Sequence, residues 1–216
     1  MGKDLPNAIG VWYLTHGYAF LGISDMNTYT WASEYGTGGN PAIPTVDATY
    51  PFAEVLAVGM DHWRPANDLQ GAIDWIAHDG GLPVQPGSSG PDPMSDQLLS
   101  AGNRVYAFAG DDATSLQDPA LGRAWIEVLA LTPAVNSLLS SLRQGAFFAS
   151  TGADFTRLSL TGTTITVEGA PGSSLHFIGR DGQVLKAVAA STGSYQVRGD
   201  EGYARVEAIG ESISWR

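Results

Sequence analysis

The chain is organised around the stretch Gly17-Tyr18-Ala19-Phe20-Leu21-Gly22-Ile23-Ser24-Asp25-Met26-Asn27-Thr28. Its apolar run, Phe20 to Ile23, is too short for a helix and indicates a buried strand. A buried parallel strand that ends at an acidic residue is a common way for an α/β fold to present a catalytic or metal-binding side chain. Asp25 and Asn27 alternate with Met26, so both are predicted to point to one side of the strand end. The alternative is an Asp-Asn turn that closes the strand and has no further role.

The composition limits the class of protein. A chain of 216 residues can hold one mid-sized domain and a smaller one, and 44% apolar residues with six Trp are enough for a hydrophobic core. The net charge is −11, with 11 Lys and Arg against 22 Asp and Glu, which argues against nucleic acid or an anionic membrane as the main partner. The absence of Cys excludes disulfides, thiolate metal sites and Cys nucleophiles. The sequence has no run of about 18 apolar residues and no signal-peptide core, so a soluble protein is predicted, with its compartment left open.

Helical stripes and short apolar strands alternate up to Gly152. The i, i+3, i+4, i+7 spacing from Ile9 to His16 predicts a first helix, in which His16 has a packing or C-cap role rather than a ligand role. Residues 28–50 have no sustained period and are predicted to form a long surface loop. A helical stripe at 69–77 lies between two apolar strands, and this strand–helix–strand rhythm predicts parallel pairing. The predicted strands of this part are Val55–Gly59, Leu82–Val84, Val105–Ala109, Trp125–Leu131 and Phe147–Thr151.

A different pattern begins after Gly152. Short alternating strands are separated by Gly, Asp and Pro, and Asp181-Gly182 gives a hairpin signal. Such spacing is typical of a small antiparallel β-sandwich. Two domains are therefore predicted, residues 1–152 and residues 153–216. The predicted strands of the second are Leu158–Leu160, Thr164–Val167, Leu175–Ile178, Val184–Leu185, Tyr195–Val197 and Ala204–Ala208.

Two segments carry a resemblance to a known family. Residues Trp12–Asn27 resemble the helix–strand unit of the PHP (polymerase and histidinol phosphatase) metal-dependent hydrolases, and are most similar to the CehA/McbA-type branch. That unit has an apolar helix, a His-Gly-Tyr turn, an apolar strand and then Thr-Asp-His-Asn, where this chain has Met26 in place of the His. Residues Arg143–Gly152 resemble the segment that leads into the terminal module of the same proteins. The resemblance implies an α/β fold, with an incomplete or distorted (β/α)7-type PHP barrel followed by the small antiparallel β-sandwich.

The resemblance also implies a divalent metal, Mn, Zn or Fe, at the carboxyl ends of the strands, but the matching motifs are altered. The family's His ligands correspond here to Met26, Gln85 and Thr114. Imidazole nitrogen is the neutral ligand that holds such metals, and methionine offers only a soft thioether. The residual candidate metal ligands are Asp25, Asp61, His62 and Asp112.

Three functions remain open at this stage. The first is a PHP-like relative of the metal-dependent phosphoesterases that has lost its metal centre and serves as a non-catalytic binding or scaffold module, for example for a small molecule, a sugar or a phosphate compound. The second is an active metal-dependent phosphoesterase with the reduced site, or with the family's missing His-x-His strand upstream of residue 1. The third is a structural protein whose C-terminal module mediates assembly, and self-association is compatible with all three.

Overall fold

The computed structural model describes residues 3–36, 41–87, 90, 93–210 and 213–215. Its helices are α1 (Pro6–Thr15), α2 (Ala32–Tyr35), α3 (Leu69–His78), α4 (Pro93–Ser100) and α5 (Val135–Arg143). The first six strands are β1 (Thr45–Thr49), β2 (Glu54–Val58), β3 (Leu82–Gly87), β4 (Tyr106–Ala109), β5 (Trp125–Val128) and β6 (Phe147–Ser150). The remaining strands are β7 (Phe155–Thr161), β8 (Thr164–Gly169), β9 (Ser174–Ile178), β10 (Val184–Val188), β11 (Thr192–Gln196), β12 (Arg205–Ile209) and β13 (Ile213–Trp215).

The chain forms two compact units, each built from separate segments. The first unit contains Met1–Pro86, Asp111–Gly122 and Val128–Phe147. The second contains Gly87–Gly110, Arg123–Glu127 and Phe148–Arg216. The division into two domains near Gly152 stays a prediction.

The first unit contains an antiparallel sheet covered by a helix. β1 pairs with β2, and β2 pairs with β3, both antiparallel. One face of the sheet is apolar and packs against α3, which starts where the side chain of Asp68 accepts a hydrogen bond from the Gly71 N–H. The buried cluster consists of Val46, Ala48, Tyr50, Val55, Ala57, Met60, Ala72 and Ile76. The prediction of parallel pairing around α3 is wrong, because the long segment 59–68 between β2 and α3 lets the chain return in the opposite direction.

The predicted strand at Phe20–Ile23 is also wrong. In this segment Leu21 makes an isolated parallel bridge to Ala42, which precedes β1, and a second isolated parallel bridge joins Met26 to Asp47 of β1. The ladder is not continued between these bridges. The Ile43 carbonyl oxygen, which would accept the next bond from the Ile23 N–H, accepts from the Tyr35 hydroxyl at 3.1 Å and from the Thr45 hydroxyl at 3.2 Å. Gly22 lies so close to the start of β1 that a Cβ there would be 2.8 Å from the Thr45 hydroxyl oxygen.

The long loop predicted for residues 28–50 contains two elements, α2 and β1, with residues 37–40 outside the described part. The sequence of β1, Thr45-Val46-Asp47-Ala48-Thr49, alternates polar and small apolar side chains. Val46 and Ala48 belong to the core beside α3, whereas Asp47 points to the other face of the sheet. The period-two signal was therefore present in a stretch whose Gly and Pro content favoured a loop.

The second unit contains two sheets, and the pairs β6–β13, β7–β8, β8–β11, β9–β10, β9–β12 and β12–β13 are antiparallel. One has the strand order β10-β9-β12-β13-β6-β5 and the other has the order β11-β8-β7. Strands of both sheets contribute to one core, which consists of Phe155, Val167, Leu175, Phe177, Tyr195, Val206 and Ala208. The six strands predicted after Gly152 coincide with β7 to β12. The predicted Asp-Gly turn is confirmed between β9 and β10, where Asp181 and Gly182 have φ values of 56° and 74°.

The predicted fold class is wrong in both of its parts. A (β/α)7-type barrel needs parallel strands that close on themselves, whereas the described strands form small open sheets and β1 to β3 are antiparallel. The strands after residue 153 do not form a sandwich of their own either, because β13 pairs with β6. Among the described residues, no helix has the length and apolar character needed to cross a membrane.

Candidate functional site

The four predicted metal ligands fall into two groups within the first unit. Asp61 and His62 follow β2 and contact each other, and His62 also contacts Asp79 at the end of α3. Asp25 and Asp112 lie near Asp47 of β1 instead. Asp47 and Asp79 were both missed by the sequence analysis, the first because β1 was taken for a loop and the second because nothing in the sequence connects it to His62.

Asp25 is engaged by its own segment. Its side chain accepts a hydrogen bond from the Thr30 hydroxyl, and its carbonyl oxygen accepts one from the Asp47 N–H at 3.3 Å. The next residue, Met26, has the position of the family's His and is 60% exposed. Met26 therefore presents an apolar side chain to solvent where the family has a metal ligand.

Asn27 connects the same segment to β1. Its backbone has a φ of 51°, a left-handed conformation that Asn tolerates better than most residues. Its amide nitrogen donates to the Thr49 carbonyl oxygen at 3.0 Å, and its amide oxygen accepts from the Thr49 N–H at 2.9 Å. This double contact fits the alternative interpretation of the stretch, an Asp-Asn turn with a structural role.

Asp47 is the buried carboxyl of this group, with 8% of its surface exposed. Burial raises its pKa, the hydrogen bond from the Thr49 hydroxyl at 2.8 Å opposes the rise, and the negative charge of Asp112 adds to it. Asp112 itself is exposed and has a φ of 52°. A buried carboxyl beside a second one can retain a proton, or share a hard cation such as Mg²⁺ or Ca²⁺ if further oxygen ligands are present.

Asp111, next to Asp112, has a structural role. It is buried and accepts hydrogen bonds from the Tyr13 hydroxyl of α1 and from the Gly122 N–H, the latter at 2.6 Å. Burial raises the pKa of Tyr13, and the hydrogen bond to Asp111 adds to the effect. Asp111 thus joins α1 to segment 111–122. The predicted C-cap role of His16 is confirmed, since His16 caps α1 and its Nδ1 lies 2.7 Å from the Trp12 carbonyl oxygen.

Thr114 and Gln85 stand at two further positions where the family has metal ligands. The Thr114 hydroxyl donates to Asp118 in an exposed turn. Gln85 follows Val84 on β3, and because Val84 pairs with Leu56 and Leu56 pairs with Asp47, Gln85 points to the face opposite Asp47. Its side-chain oxygen is buried and has no hydrogen-bond partner among the described residues.

The group around Asp79 is an ion-pair cluster. His62 Nδ1 lies 2.9 Å from Asp61, and His62 Nε2 lies 3.2 Å from Asp79. The Arg64 guanidinium is 2.7 Å and His78 Nδ1 is 3.0 Å from the same Asp79 carboxylate. Hydrogen bonds to Asp61 and Asp79 raise the pKa of His62, and those from His78 and His62 lower the pKa of Asp79. His78 is the last residue of α3, in agreement with its predicted role at a helix end.

The resemblance implies a divalent metal, and most of its candidate ligands already have partners within the protein. Both nitrogens of His62 face carboxylates, and Asp79 already pairs with the Arg64 cation. Within the described ranges, no three His, Asp or Glu side chains are grouped so that they could hold one ion. The side chains as arranged do not fit a transition-metal centre of the PHP type.

The comparisons with known proteins give one structural likeness. The chain matches no family model and no curated protein sequence. It is similar in structure to a two-domain protein from Bacteroides vulgatus that contains a predicted PHP-like metal-dependent phosphoesterase, with a TM-score of 0.51 and 11% sequence identity. The match covers 95% of this chain and 86% of that one. At this identity the likeness shows a fold shared with that protein and nothing about family or activity.

Proposed function

We propose that this chain is a PHP-like protein that has lost its metal centre and serves as a non-catalytic binding or scaffold module. The main support is the separation of the candidate ligands, with Asp61 and His62 beside Asp79, and Asp25 and Asp112 beside Asp47. A metal ion binds its ligands at about 2.0–2.6 Å from one point. Two groups that are each engaged in other contacts do not supply such a point.

The protein's own residues form contacts in both groups. Around Asp79, the cation Arg64 and the imidazole of His62 take the place that a metal ion would have. Around Asp47, the hydroxyls of Thr30 and Thr49 donate to Asp25 and Asp47. We further place the chain with the CehA/McbA-type branch, on the basis of the motifs at Trp12–Asn27 and Arg143–Gly152 and with their metal positions degenerate.

Charge limits the class of ligand. A net charge of −11 opposes nucleic acid and anionic membranes through long-range repulsion. The partner we propose is a small molecule, such as a sugar or a phosphate compound. Self-association is compatible with this role.

One observation favours the second candidate function, a phosphoesterase with a reduced site. Burial raises the pKa of Asp47, and Asp112 lies close enough to raise it further, which is an arrangement also found in catalytic carboxyl pairs. In this alternative Asp25 and Asp112, with Asp61 and His62, would hold a weakly bound cation.

An activity measurement separates the two functions. Hydrolysis of p-nitrophenyl phosphate and of a phosphodiester is followed with wild-type protein, with and without added Mn²⁺, Zn²⁺ or Mg²⁺. We expect no hydrolysis above background and no effect of Asp112→Ala. Activity that is lost in Asp112→Ala, but retained in the control Asp200→Ala in the second unit, would contradict the proposal and support the phosphoesterase.

A further inference from the structure

The second unit has a surface pocket between two edge strands. β10 is the end strand of the six-stranded sheet, and β11 is the end strand of the three-stranded sheet. The pocket has a volume of about 320 Å³, within the range of about 300–1,000 Å³ that is usual for small-molecule sites. Its lining consists of Leu185, Lys186, Tyr195, Gln196 and Arg198.

The uncharged walls of the pocket are held in place by neighbours. The buried Tyr195 ring stacks on Phe177 at 5.7 Å, and its hydroxyl donates to Glu201 at 2.7 Å. The Gln196 side chain accepts a hydrogen bond from the Thr164 hydroxyl at 3.1 Å. The pairing register of β10 shifts between Val184 and Lys186, and Leu185 at this shift both packs against the core cluster and lines the pocket. Such a fixed lining does not need to become ordered when a ligand binds.

Two of the chain's few cations line this pocket. Lys186 Nζ donates to the Ser194 carbonyl oxygen at 2.7 Å, which uses one of its three hydrogens and fixes the ammonium group between β10 and β11. Arg198 is exposed, and no described residue accepts a hydrogen bond from its guanidinium. The nearby Glu201 carboxylate is already engaged, because it accepts from the N–H groups of Arg198 and Gly199 as well as from Tyr195.

We propose that this pocket binds a small organic oxyanion of about monosaccharide size, such as a sugar phosphate or an acidic sugar. Lys186 and Arg198 donate to the phosphate or carboxylate group, because guanidinium and ammonium groups form strong charge-assisted hydrogen bonds with such oxygens. Leu185 and Tyr195 provide the apolar wall for the body of the ligand. Lys186 and Arg198 supply two positive charges at one pocket in a chain of net charge −11, and the Glu201 carboxylate beside Arg198 is already engaged by three donors. This site lies wholly in the second unit, and the proposal stands whether or not the first unit binds a metal.

The test is calorimetric titration of the full chain with four probes: glucose 6-phosphate, glucuronate, glucose and inorganic phosphate. We expect binding of glucose 6-phosphate or glucuronate that is tighter than binding of glucose or of inorganic phosphate, and that weakens as salt is added. The probe that binds tighter identifies the preferred anionic group. Equal affinity for inorganic phosphate and glucose 6-phosphate would overturn the proposal, as would no binding of any probe.

Variants test the assignment to these residues. Arg198→Gln is expected to lower the affinity for the anionic probe by about 10-fold, because it removes one hydrogen bond between charged groups. The control Arg157→Gln makes the same charge change on β7, where Arg157 pairs with Glu168, and is expected to leave affinity unchanged. Equal effects of the two variants would show non-specific attraction and overturn the site. Asp112→Ala is expected to leave affinity unchanged, which separates this result from the proposed loss of the metal centre.

Discussion

At the residue scale, hydrogen-bond partners determine what each candidate ligand can do. The sequence indicated Asp25, Asp61, His62 and Asp112 because each follows an apolar run or matches a family motif. It did not indicate Asp47, whose burial and whose proximity to Asp112 depend on pairing between distant segments. The residues that complete each group could not be predicted, because a single sequence does not show which polar side chains meet.

The ion pairs of His62 lead to a prediction on pH. Hydrogen bonds to Asp61 and Asp79 raise the pKa of His62 above its ordinary value of 6.5, while the Arg64 cation acts in the opposite direction. A raised folded-state pKa means that protonated His62 stabilises the fold; this contribution is complete below pH 6.5 and is lost as the pH rises through the folded-state pKa. His62→Gln should therefore lower the melting temperature at pH below 6.5 and have little effect at alkaline pH.

The control for this effect is the variant Asp79→Asn. His78 and Arg64 also contact Asp79, so the pH profile is compared in the Asp79→Asn background, where the main partner of His62 Nε2 is removed. We expect the pH dependence of the His62→Gln effect to decrease there. An effect of His62→Gln that is the same at all pH values, in either background, would contradict an ion-pair role.

At the element scale, the sequence was informative about helices and about strands with a clear period. The predicted helices at Ile9–His16 and 69–77 coincide with α1 and α3. Pairing direction was predicted incorrectly, since a strand–helix–strand rhythm does not determine it when the connecting segment is long. The segment Phe20–Ile23 failed as a strand for a local reason, because the Tyr35 and Thr45 hydroxyls occupy the Ile43 carbonyl oxygen, which a run of apolar residues does not reveal.

Asn27 is expected to be important for the contact between this segment and β1. Asn27→Gly keeps the left-handed backbone but loses both hydrogen bonds to Thr49, for an expected loss of about 1–3 kcal/mol in the free energy of unfolding. Asn27→Ala adds strain of about 1–2 kcal/mol, because Ala disfavours a positive φ. Urea denaturation of both variants measures these values. An Ala variant as stable as the Gly variant would contradict the strained geometry.

At the scale of the whole molecule, contacts between distant segments were beyond prediction. In the second unit Arg205 of β12 makes two hydrogen bonds to Asp96 of α4, at 2.7 Å and 2.8 Å, although the two residues are 109 positions apart. Arg205 also pairs with Glu207 and is only 9% exposed. The predicted boundary at Gly152 assigns α4 and β12 to different domains. The local sequence pattern gives no sign of the ion pair between them.

Removing the Arg205 cation tests how strongly that pair stabilises the second unit. Arg205→Gln leaves the carboxylates of Asp96 and Glu207 without their cation in a buried position, and the expected cost is about 3–5 kcal/mol. The control is Arg157→Gln, whose exposed pair with Glu168 is worth about 0–1 kcal/mol. Unfolding in urea measures both. Similar losses in the two variants would show that the buried network contributes little.

The central proposal is that this chain has no working metal centre, and metal content tests it most directly. The protein is expressed with added Mn, Zn and Fe, purified without chelator, and analysed for metals by mass spectrometry. We expect far less than one ion per chain, and no change in Asp112→Ala, because Asp25, Asp47 and His62 are engaged by other residues of the protein. One or more ions per chain in the wild type, lost in Asp112→Ala, would contradict the claim.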